Sequence, residues 1–211
     1  MIITIDGPAA SGKGTIAKAL AKHFNLPFLD TGLLYRAVGK NLIDHLDDPD
    51  LENLAHIEAI KLDASSLDEN TLGHHDIAMA ASQVAQFPKV REALFKVQRD
   101  FATQSGGAVL DGRDTGTNIC PEADVKIFVK AMPEIRAKRR TSQLLGLREN
   151  VTEQKILAQI IIRDENDRKN PAGAFFPAKD AHLLDTSELD IEGALKAAIA
   201  IVENAAPTGL N

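Results

Sequence analysis

The chain has 211 residues, of which 44% are hydrophobic, and it carries a formal net charge of −6 and a single cysteine. This length and composition predict one folded domain, with room for a small inserted subdomain, and they argue against wholesale disorder. The acidic balance argues against a nucleic-acid polymer as a partner, because such a partner requires a broad basic surface. A lone cysteine excludes an internal disulfide and a cysteine-based zinc cluster.

A strand-like run at the start of the chain leads into a glycine-rich loop. Residues 2–6 are apolar and mostly β-branched, and an apolar face with helical spacing begins at Ile16. Between them lie Gly7, Pro8, Ala9, Ala10, Ser11, Gly12, Lys13, Gly14 and Thr15. This order predicts a triphosphate-binding loop, because backbone N–H groups, a lysine and the positive end of a helix converge on an anion. A surface turn before a helix is the alternative, since Gly, Pro and Ser favour turns anywhere. The loop departs from the usual pattern in one place, where Gly14 follows the lysine and the hydroxyl comes at Thr15.

The remaining predicted elements alternate between helix and strand. In chain order they are a strand at 26–30, a helix at 33–46, a less regular region at 51–75 with a polar loop at 65–70, and a helical stretch at 76–104 that Pro88 interrupts. Strands follow at 106–111 and 125–129, then a helix opened by Pro133, a helix at 152–168, a strand at 181–184 and a helix at 191–204 capped by Asp190. This alternation predicts an α/β fold with a parallel sheet of about five strands, covered by helices on both faces.

Acidic and basic side chains follow two of the predicted strands. Asp111 ends the third strand and is followed by Gly112, Arg113 and Asp114. Open α/β sheets bind ligands at the carboxyl ends of their strands, so Asp111 is predicted to be a magnesium-linked acid beside the glycine loop. A turn acid after an edge strand is the alternative. By its position at the same edge, Arg36 is predicted to be a phosphate ligand, although a capped helix start at Asp30 would give the same pattern.

Two charged segments and a histidine pair have competing interpretations. Opposite charges recur at i,i+4 spacing in two overlapping pairs, Arg163 with Asp167 and Asp164 with Arg168. This spacing fits a solvated ladder of salt bridges, or a lid that brings arginines onto phosphates as it closes. Residues 138–140, Lys-Arg-Arg, are interpreted as a solvated helix face, with a nucleotide-facing role as the alternative. His74 and His75 are interpreted as surface histidines.

These motifs resemble, in the same order and over nearly the whole chain, those of the bacterial cytidylate kinases, a family of P-loop nucleoside monophosphate kinases. The resemblance is carried by residues 7–15, by Asp30-Thr31-Gly32 with Tyr35-Arg36, by 80–85 (Ala-Ala-Ser-Gln-Val-Ala), 90–94, 111–117 (Asp-Gly-Arg-Asp-Thr-Gly-Thr) and 125–128, by Arg163-Asp164 with Asp167, and by 177–181 with 184–186. The glycine loop alone indicates only a P-loop protein. The Ala-Ser-Gln and Asp-Gly-Arg-Asp motifs are the specific ones.

The resemblance implies an activity and an organisation. It implies transfer of a phosphoryl group from MgATP to CMP or dCMP, giving CDP or dCDP and ADP, within pyrimidine nucleotide metabolism. It also implies a P-loop NTPase-type fold in a single kinase domain over 1–211, with a nucleoside-monophosphate-binding insert at about 37–104 and a helical lid at about 148–176. We expect the insert to be trimmed, because residues 61–75 are too short and polar for the small antiparallel sheet that the family usually has there.

The resemblance further implies a role for individual residues. Residues Gly7 to Thr15 would bind ATP, and Thr15 and, through water, Asp111 would hold Mg²⁺. The catalytic cations would be Lys13, Arg36, Arg113 and Arg163. The monophosphate substrate would be bound by Thr31, Arg36, Ser82, Arg91, Arg113, Asp114, Arg163 and Asp167. Asn166 and Asn170 stand where the family's lid has arginines, and Arg168 and Lys169 are the two candidates to replace them, a choice that the sequence leaves open.

Two other activities remain open on the residues alone. One is a different small-molecule kinase of the same fold, such as an adenylate or shikimate kinase. The other is a regulatory module that binds a nucleotide without catalysis. We also expect a cytoplasmic monomer without a membrane partner, since no apolar run reaches the length of a membrane span and the first residues have a strand pattern instead of that of a signal peptide.

Overall fold

Five parallel strands form one sheet in the order β2-β3-β1-β4-β5. They are β1 (Ile2–Asp6), β2 (Phe28–Asp30), β3 (Ala108–Gly112), β4 (Val125–Lys130) and β5 (His182–Asp185). The structure is a computed structural model that describes residues 1–64, 67–170 and 175–205. The predicted α/β fold with a parallel sheet of about five strands is confirmed. Because all five strands run the same way, their carboxyl ends meet at one edge.

Helices connect the strands and cover the sheet. They are α1 (Lys13–His23), α2 (Thr31–Asn41), α3 (Leu51–Lys61), α4 (Glu69–Leu72), α5 (His75–Val84), α6 (Pro88–Ala102), α7 (Pro133–Gly146), α8 (Glu153–Lys169) and α9 (Ile191–Ala205). A 3-10 turn follows α2 at Ile43–His45, and a five-residue π-helical turn follows β3 at Thr115–Ile119. Among the described helices, none is both long and apolar enough to span a bilayer.

Several predicted boundaries differ from those in the structure. The helix predicted at 33–46 begins and ends earlier in the structure. Asp30 caps α2 by accepting a hydrogen bond from the N–H of Gly32 at 2.9 Å, so the helix begins at Thr31 and ends at Asn41. The less regular region at 51–75 is largely helical. Of the polar loop predicted at 65–70, residues 65–66 lie outside the described part, and Asp68 caps α4, which begins at Glu69.

Alternate residues of β3 divide the core between the two faces of the sheet. Val109 packs with β1, β4, α1 and α9, whereas Ala108 and Leu110 pack with the end of α6 and with the segment that carries Cys120. Apolar residues on both faces are typical of a parallel strand covered by helices on either side. There are two further clusters, one centred on α2, α3 and α6 that also includes Leu29 of β2, and the other between α7 and α8. In the described part of 37–104 every regular element is a helix or 3-10 turn.

The contact between α2 and α5 depends on a glycine. A Cβ at Gly39 would lie 2.7 Å from the backbone nitrogen of Ala81 and 2.9 Å from the carbonyl carbon of Ala80. The Gly39→Ala variant is therefore expected to lose about 1–3 kcal/mol of stability in urea unfolding, because two helix backbones must separate. The matched control is Gly146→Ala in α7, where an added Cβ meets nothing within 4 Å. This variant should be neutral, or gain up to about 1 kcal/mol from helix propensity. Equal losses in both would contradict close packing at Gly39.

Candidate functional site: a phosphate loop and an arginine-lined cleft

The main cleft lies at the carboxyl edge of the sheet and has a volume of about 260 Å³. Its walls come from the loop after β1, the start of α2, helix α5, the residues after β3, and helices α7 and α8. Six cationic side chains line it: Lys13, Arg36, Arg91, Arg113, Arg140 and Arg163. Four acidic side chains line it as well: Asp30, Glu69, Asp114 and Asp167. The cleft therefore carries a net positive charge in a protein that is acidic overall.

The glycine loop packs closely against the sheet before α1 begins. A Cβ at Gly7 would lie 2.1 Å from the carbonyl oxygen of Val129, so no side chain fits there. Gly12 has a φ of 91° and precedes the first residue of α1, Lys13. The ammonium of Lys13 lies 2.7 Å from Oδ1 of Asp111 at the end of β3. The structure therefore joins the two predicted motifs, the loop and the acid, at the start of α1.

Gly14 makes room for the acid. A Cβ at this position would lie 3.0 Å from Oδ2 of Asp111, which is tighter than almost any real contact of this kind. Asp111 is 1% exposed, and its burial raises the pKa of the carboxyl to about 6, an effect that the neighbouring Lys13 opposes. A side chain directly after the lysine would therefore press on the Asp111 carboxylate.

The residues near Asp111 fit a magnesium ion. Mg²⁺ in kinases is held by one or two carboxylates together with water and substrate phosphates, and does not need a complete protein cage. Among the described residues, no group of three or more acidic, histidine or cysteine side chains could hold a metal on its own. A buried carboxylate beside the phosphate loop, with the exposed Thr15 one residue beyond Gly14, suits a site that the nucleotide completes.

Four arginines surround the middle of the cleft. Arg36 donates to the carbonyl oxygen of Leu72 at 2.7 Å, and Arg140 donates to the next carbonyl, Gly73, at 3.3 Å. Arg113 pairs with Asp167 through Nε at 3.1 Å. Burial and neighbouring arginines lower the pKa of Arg36, and they lower the pKa of Arg140 and of Arg163 to about 10. Arg36, Arg140 and Arg163 stay cationic near neutral pH, and an anion between them would relieve their mutual repulsion.

A second group of side chains surrounds Asp114. Arg91 of α6 forms an ion pair with Asp114, and its guanidinium lies 5.8 Å from the centre of the Tyr35 ring. Asn118 donates to Oδ2 of Asp114 at 3.2 Å, and Arg91 uses the same oxygen. Ser82 lines the cleft as well. Neither of the two contacts uses Oδ1 of Asp114.

A buried acid holds the segment that carries Asp114. Asp6 ends β1 and accepts hydrogen bonds from the backbone N–H groups of Thr115 and Gly116 at 2.9 and 2.8 Å and from the Thr115 hydroxyl at 2.8 Å. Burial raises the pKa of Asp6, and these donors oppose the shift. The π-helical turn after Asp114 is thereby fixed to the central strand. Thr31 is also fixed by a backbone contact, since its hydroxyl donates to the carbonyl oxygen of Asp111 at 2.7 Å.

The charged segments of α7 and α8 differ from the simplest interpretations. In residues 138–140 only Lys138 is exposed, so the solvated-face interpretation is wrong for the two arginines. Arg139 donates to the carbonyl of Ser11 in the phosphate loop, and Arg140 faces the cleft. The surface interpretation holds for His74, whereas its neighbour His75 lines the cleft.

Of the two interpretations of the charges on α8, the solvated ladder of salt bridges does not describe its acids. Asp164 pairs with Arg136 of α7, and Asp167 pairs with Arg113, so both acids contact other parts of the chain. Asn166 and Asn170 line the cleft. Arg168 is exposed and Lys169 pairs with Glu165 at 2.6 Å. Neither of these two cations lines the cleft, where Arg140 supplies a further positive charge from a different helix.

Comparison with known proteins identifies the family. The sequence model of the family described as Cytidylate kinase matches residues 3–204. The chain belongs to the cytidylate kinase family. The cytidylate kinase of Nitrobacter winogradskyi is 55% identical over 204 residues, which cover 97% of this chain and 96% of the relative. The cytidylate kinase of Methylocella silvestris is 53% identical over 205 residues, which cover 97% and 95%. The resemblance read from the motifs is thereby confirmed.

One solved structure supports the fold independently. The crystal structure of an uncharacterized protein from Eubacterium ventriosum matches 96% of this chain and 98% of its own, with a TM-score of 0.53 and 18% identity. At this identity the likeness concerns the fold alone. It agrees with the five-stranded parallel sheet described above for the cytidylate kinase chain.

Sequence reasoning missed three residues of this region. Arg140 belongs to a basic run for which a nucleotide-facing role was only the alternative. Asn118 follows the Asp-Gly-Arg-Asp motif by four residues and becomes a neighbour of Asp114 only through the π-helical turn. Only Arg136 had a feature that could have marked it as a buried residue, because it shares the buried face of α7 with Ala137 and Leu144. A charged residue on an apolar helix face indicates a buried partner.

Proposed function

We propose that this chain transfers the terminal phosphoryl group of ATP, as its magnesium complex, to CMP or dCMP, giving ADP and CDP or dCDP. The observation that carries the proposal is that one cleft brings together three kinds of group. The phosphate loop, the Arg91–Asp114 pair and four further arginines all line it. This set of groups can provide a donor site, an acceptor base site and a cationic region where two phosphate groups meet. The membership of the chain in the cytidylate kinase family supports the same reaction.

The Arg91–Asp114 pair suits cytosine in particular. The cytosine edge has an amino donor beside acceptors, so a carboxylate oxygen and a guanidinium complement it. Oδ1 of Asp114 is the oxygen that can accept from the amino group, since Arg91 and Asn118 both donate to Oδ2. Uracil would place a carbonyl against this carboxylate, acceptor to acceptor. We assign the monophosphate-binding role to Thr31, Ser82, Arg91, Asp114 and Asp167.

Catalysis in this proposal is positioning and charge stabilisation. The acceptor phosphate has a second pKa near 6 and is already largely dianionic at neutral pH, so no general base is needed. Lys13, Arg36, Arg113 and Arg163 would bind the reacting phosphates and stabilise the charge that spreads over the transferring group. When bound, Mg²⁺ held near Thr15 and Asp111 would neutralise charge on the donor phosphates.

The organisation of the domain follows from this assignment. We propose that residues of about 37–104 bind the monophosphate and that about 148–176 act as the lid over the phosphates. A monomer is proposed as the active unit. A cytoplasmic location is proposed with it, since free nucleotides are the substrates.

A substrate panel tests the proposed function against its alternatives. The purified protein is given ATP and magnesium with CMP, dCMP, UMP, AMP or shikimate, and ADP release and the phosphorylated product are measured. We expect CMP and dCMP to be the preferred acceptors. Equal rates with CMP and AMP would contradict cytosine recognition, and a preference for AMP or shikimate would favour the other kinases. Tight nucleotide binding without any diphosphate product would favour a regulatory module.

The role of Arg140 is open to a direct test. Its guanidinium lines the cleft and donates to two neutral groups, the Gly73 carbonyl and the Gln143 side chain. We expect Arg140→Met to lower kcat for CMP phosphorylation by about 100-fold, the usual cost of losing one charge-stabilising donor. The control is Lys138→Met, which removes a charge from an exposed position on the same helix. Its kcat should stay within about twofold of that of the wild type. Equal kcat values for both variants would exclude a catalytic role for Arg140.

A further inference from the structure

The phosphate loop contains a backbone conformation that alanine rarely adopts. Ala10 has a φ of 58°, in the left-handed region that favours glycine. Such a residue persists only where its surroundings hold it in place. The carbonyls on either side of Ala10 are both held by side chains. Arg136 donates to the carbonyl of Ala9 at 3.4 Å, and Arg139 and Thr186 donate to the carbonyl of Ser11 at 3.2 and 2.8 Å.

Arg136 is fixed on every side of its guanidinium. It is 2% exposed, and its Nε donates to the carbonyl of Ala131 at 3.0 Å. Both terminal nitrogens contact the two carboxylate oxygens of Asp164, one of them at 3.0 Å. Asp164 is itself buried and lies on α8, the helix of the proposed lid. A chain of direct contacts therefore runs from the lid helix through Arg136 to the phosphate loop.

Packing alone does not require this ion pair. Helices α7 and α8 already share an apolar cluster of Ala137, Leu144, Ile156 and Ile160. Apolar residues can often replace a buried ion pair without loss of stability. The reason is that the free energy of desolvating the two charges is about as large as the free energy of their attraction. An apolar pair could not, however, donate a hydrogen bond to the Ala9 carbonyl. The contact to the loop is therefore what distinguishes this pair from ordinary packing between two helices.

We infer that Asp164 is a positioning residue of the donor site, acting through Arg136 to hold the Ala9 carbonyl and so to keep the loop N–H groups turned toward the phosphates of ATP. This inference rests on one part of the proposed function, namely that the loop binds ATP. Asp164 is not among the residues that line the cleft, and its effect would reach the donor through the backbone on one side of Ala10. The lid helix thus contributes to the binding of ATP at a place outside the cleft.

Calorimetric titration of Asp164→Asn with MgATP and, separately, with CMP tests the inference. The amide holds Arg136 less firmly, so we expect the Kd for MgATP to rise about tenfold and the Kd for CMP to stay within about twofold. The control is Glu165→Gln, the next residue of α8, whose exposed carboxylate pairs with Lys169. The control should leave both Kd values within about twofold of those of the wild type. An equal rise of both Kd values in Asp164→Asn, or tighter binding of MgATP, would overturn the inference.

A second background separates positioning from a general loosening of the two helices. Glycine adopts a positive φ without strain, so a loop with Ala10→Gly depends less on being held. In that background Asp164→Asn is expected to raise the Kd for MgATP by only about threefold or less. If the pair served only to join α7 and α8, the rise would be the same in both backgrounds. That result would overturn the inference.

The outcome remains decisive if Asp164→Asn does not fold. Asp164→Glu keeps the charge and moves the carboxylate by one methylene, and we expect it to raise the Kd for MgATP by about threefold with CMP unaffected. No change in this variant, or equal changes for both ligands, would count against a positioning role. Failure of the proposed function has a different signature, since wild-type protein would then bind MgATP but form no CDP from CMP.

Discussion

Replacing Lys13 with methionine is expected to lower kcat for phosphoryl transfer to CMP by about 1000-fold while leaving the protein folded. The ammonium is the cation at the start of α1 and lies where it can reach the outer phosphates of ATP. Methionine has a similar length and no charge, so the change removes the electrostatic contribution and little else. The measurement is ADP release in a coupled assay at saturating ATP and CMP.

The fold should survive this substitution because Asp111 can take up a proton. Burial already raises the pKa of Asp111 to about 6, and Lys13 is the main neighbour that opposes the rise. Without the lysine the pKa rises further, and the neutral acid is tolerated in the buried site. The matched control is Lys22→Met, an exposed lysine near the end of the same helix, which should keep wild-type activity. Lys13→Met with more than about a tenth of wild-type kcat would contradict the donor-site assignment.

The second large effect is expected at Asp114. Asparagine has the same shape but places either an amide or a carbonyl toward the base, and it leaves Arg91 without an anionic partner. We expect Asp114→Asn to lower kcat/KM for CMP by about 100-fold, because a buried donor on the substrate loses its charged acceptor. The KM for ATP should change by less than about threefold, since Asp114 makes no contact with the phosphate loop among its described hydrogen bonds and ion pairs.

Discrimination between pyrimidines is the sharper readout for this variant. The amide can donate to the uracil carbonyl that the carboxylate repels. The kcat/KM for CMP divided by that for UMP should therefore fall by a larger factor than the kcat/KM for either substrate. Asp100→Asn is the control, because its carboxylate pairs with Lys96 at an exposed position of α6. A proportional loss for CMP, UMP and ATP would show that the change disturbs the fold instead of base recognition.

The fold could be predicted largely because its signals are local. The apolar strand before the glycine loop, the acid at the end of the third strand and the prolines that open helices each depend on a few neighbouring residues. The carboxyl ends of parallel strands meet at one edge of the sheet, and this alone predicts that Lys13 and Asp111 lie close together. The structure confirms the contact at 2.7 Å. The family resemblance added the residues of the acceptor end, which no periodicity identifies.

The remaining parts of the site depend on how distant helices pack. A basic run such as residues 138–140 looks the same whether it faces water or a cleft, and only the packing of α7 beside the phosphate loop decides that Arg139 and Arg140 turn inward. The spacing of Asp164 and Asp167 similarly fits a ladder on one helix. Their partners come instead from 28 and 54 residues away in the chain. Neither separation leaves a local pattern.

The close approach of Gly14 and Asp111 has a consequence for how such loops can change. A serine or threonine directly after Lys13 would place its Cβ about 3.0 Å from the Asp111 carboxylate, so the carboxylate would have to shift by a few tenths of an ångström to admit the more common form of the loop. Positions 14 and 111 are therefore expected to change together, and a library that randomises both at once should recover functional pairs that neither single-site library contains.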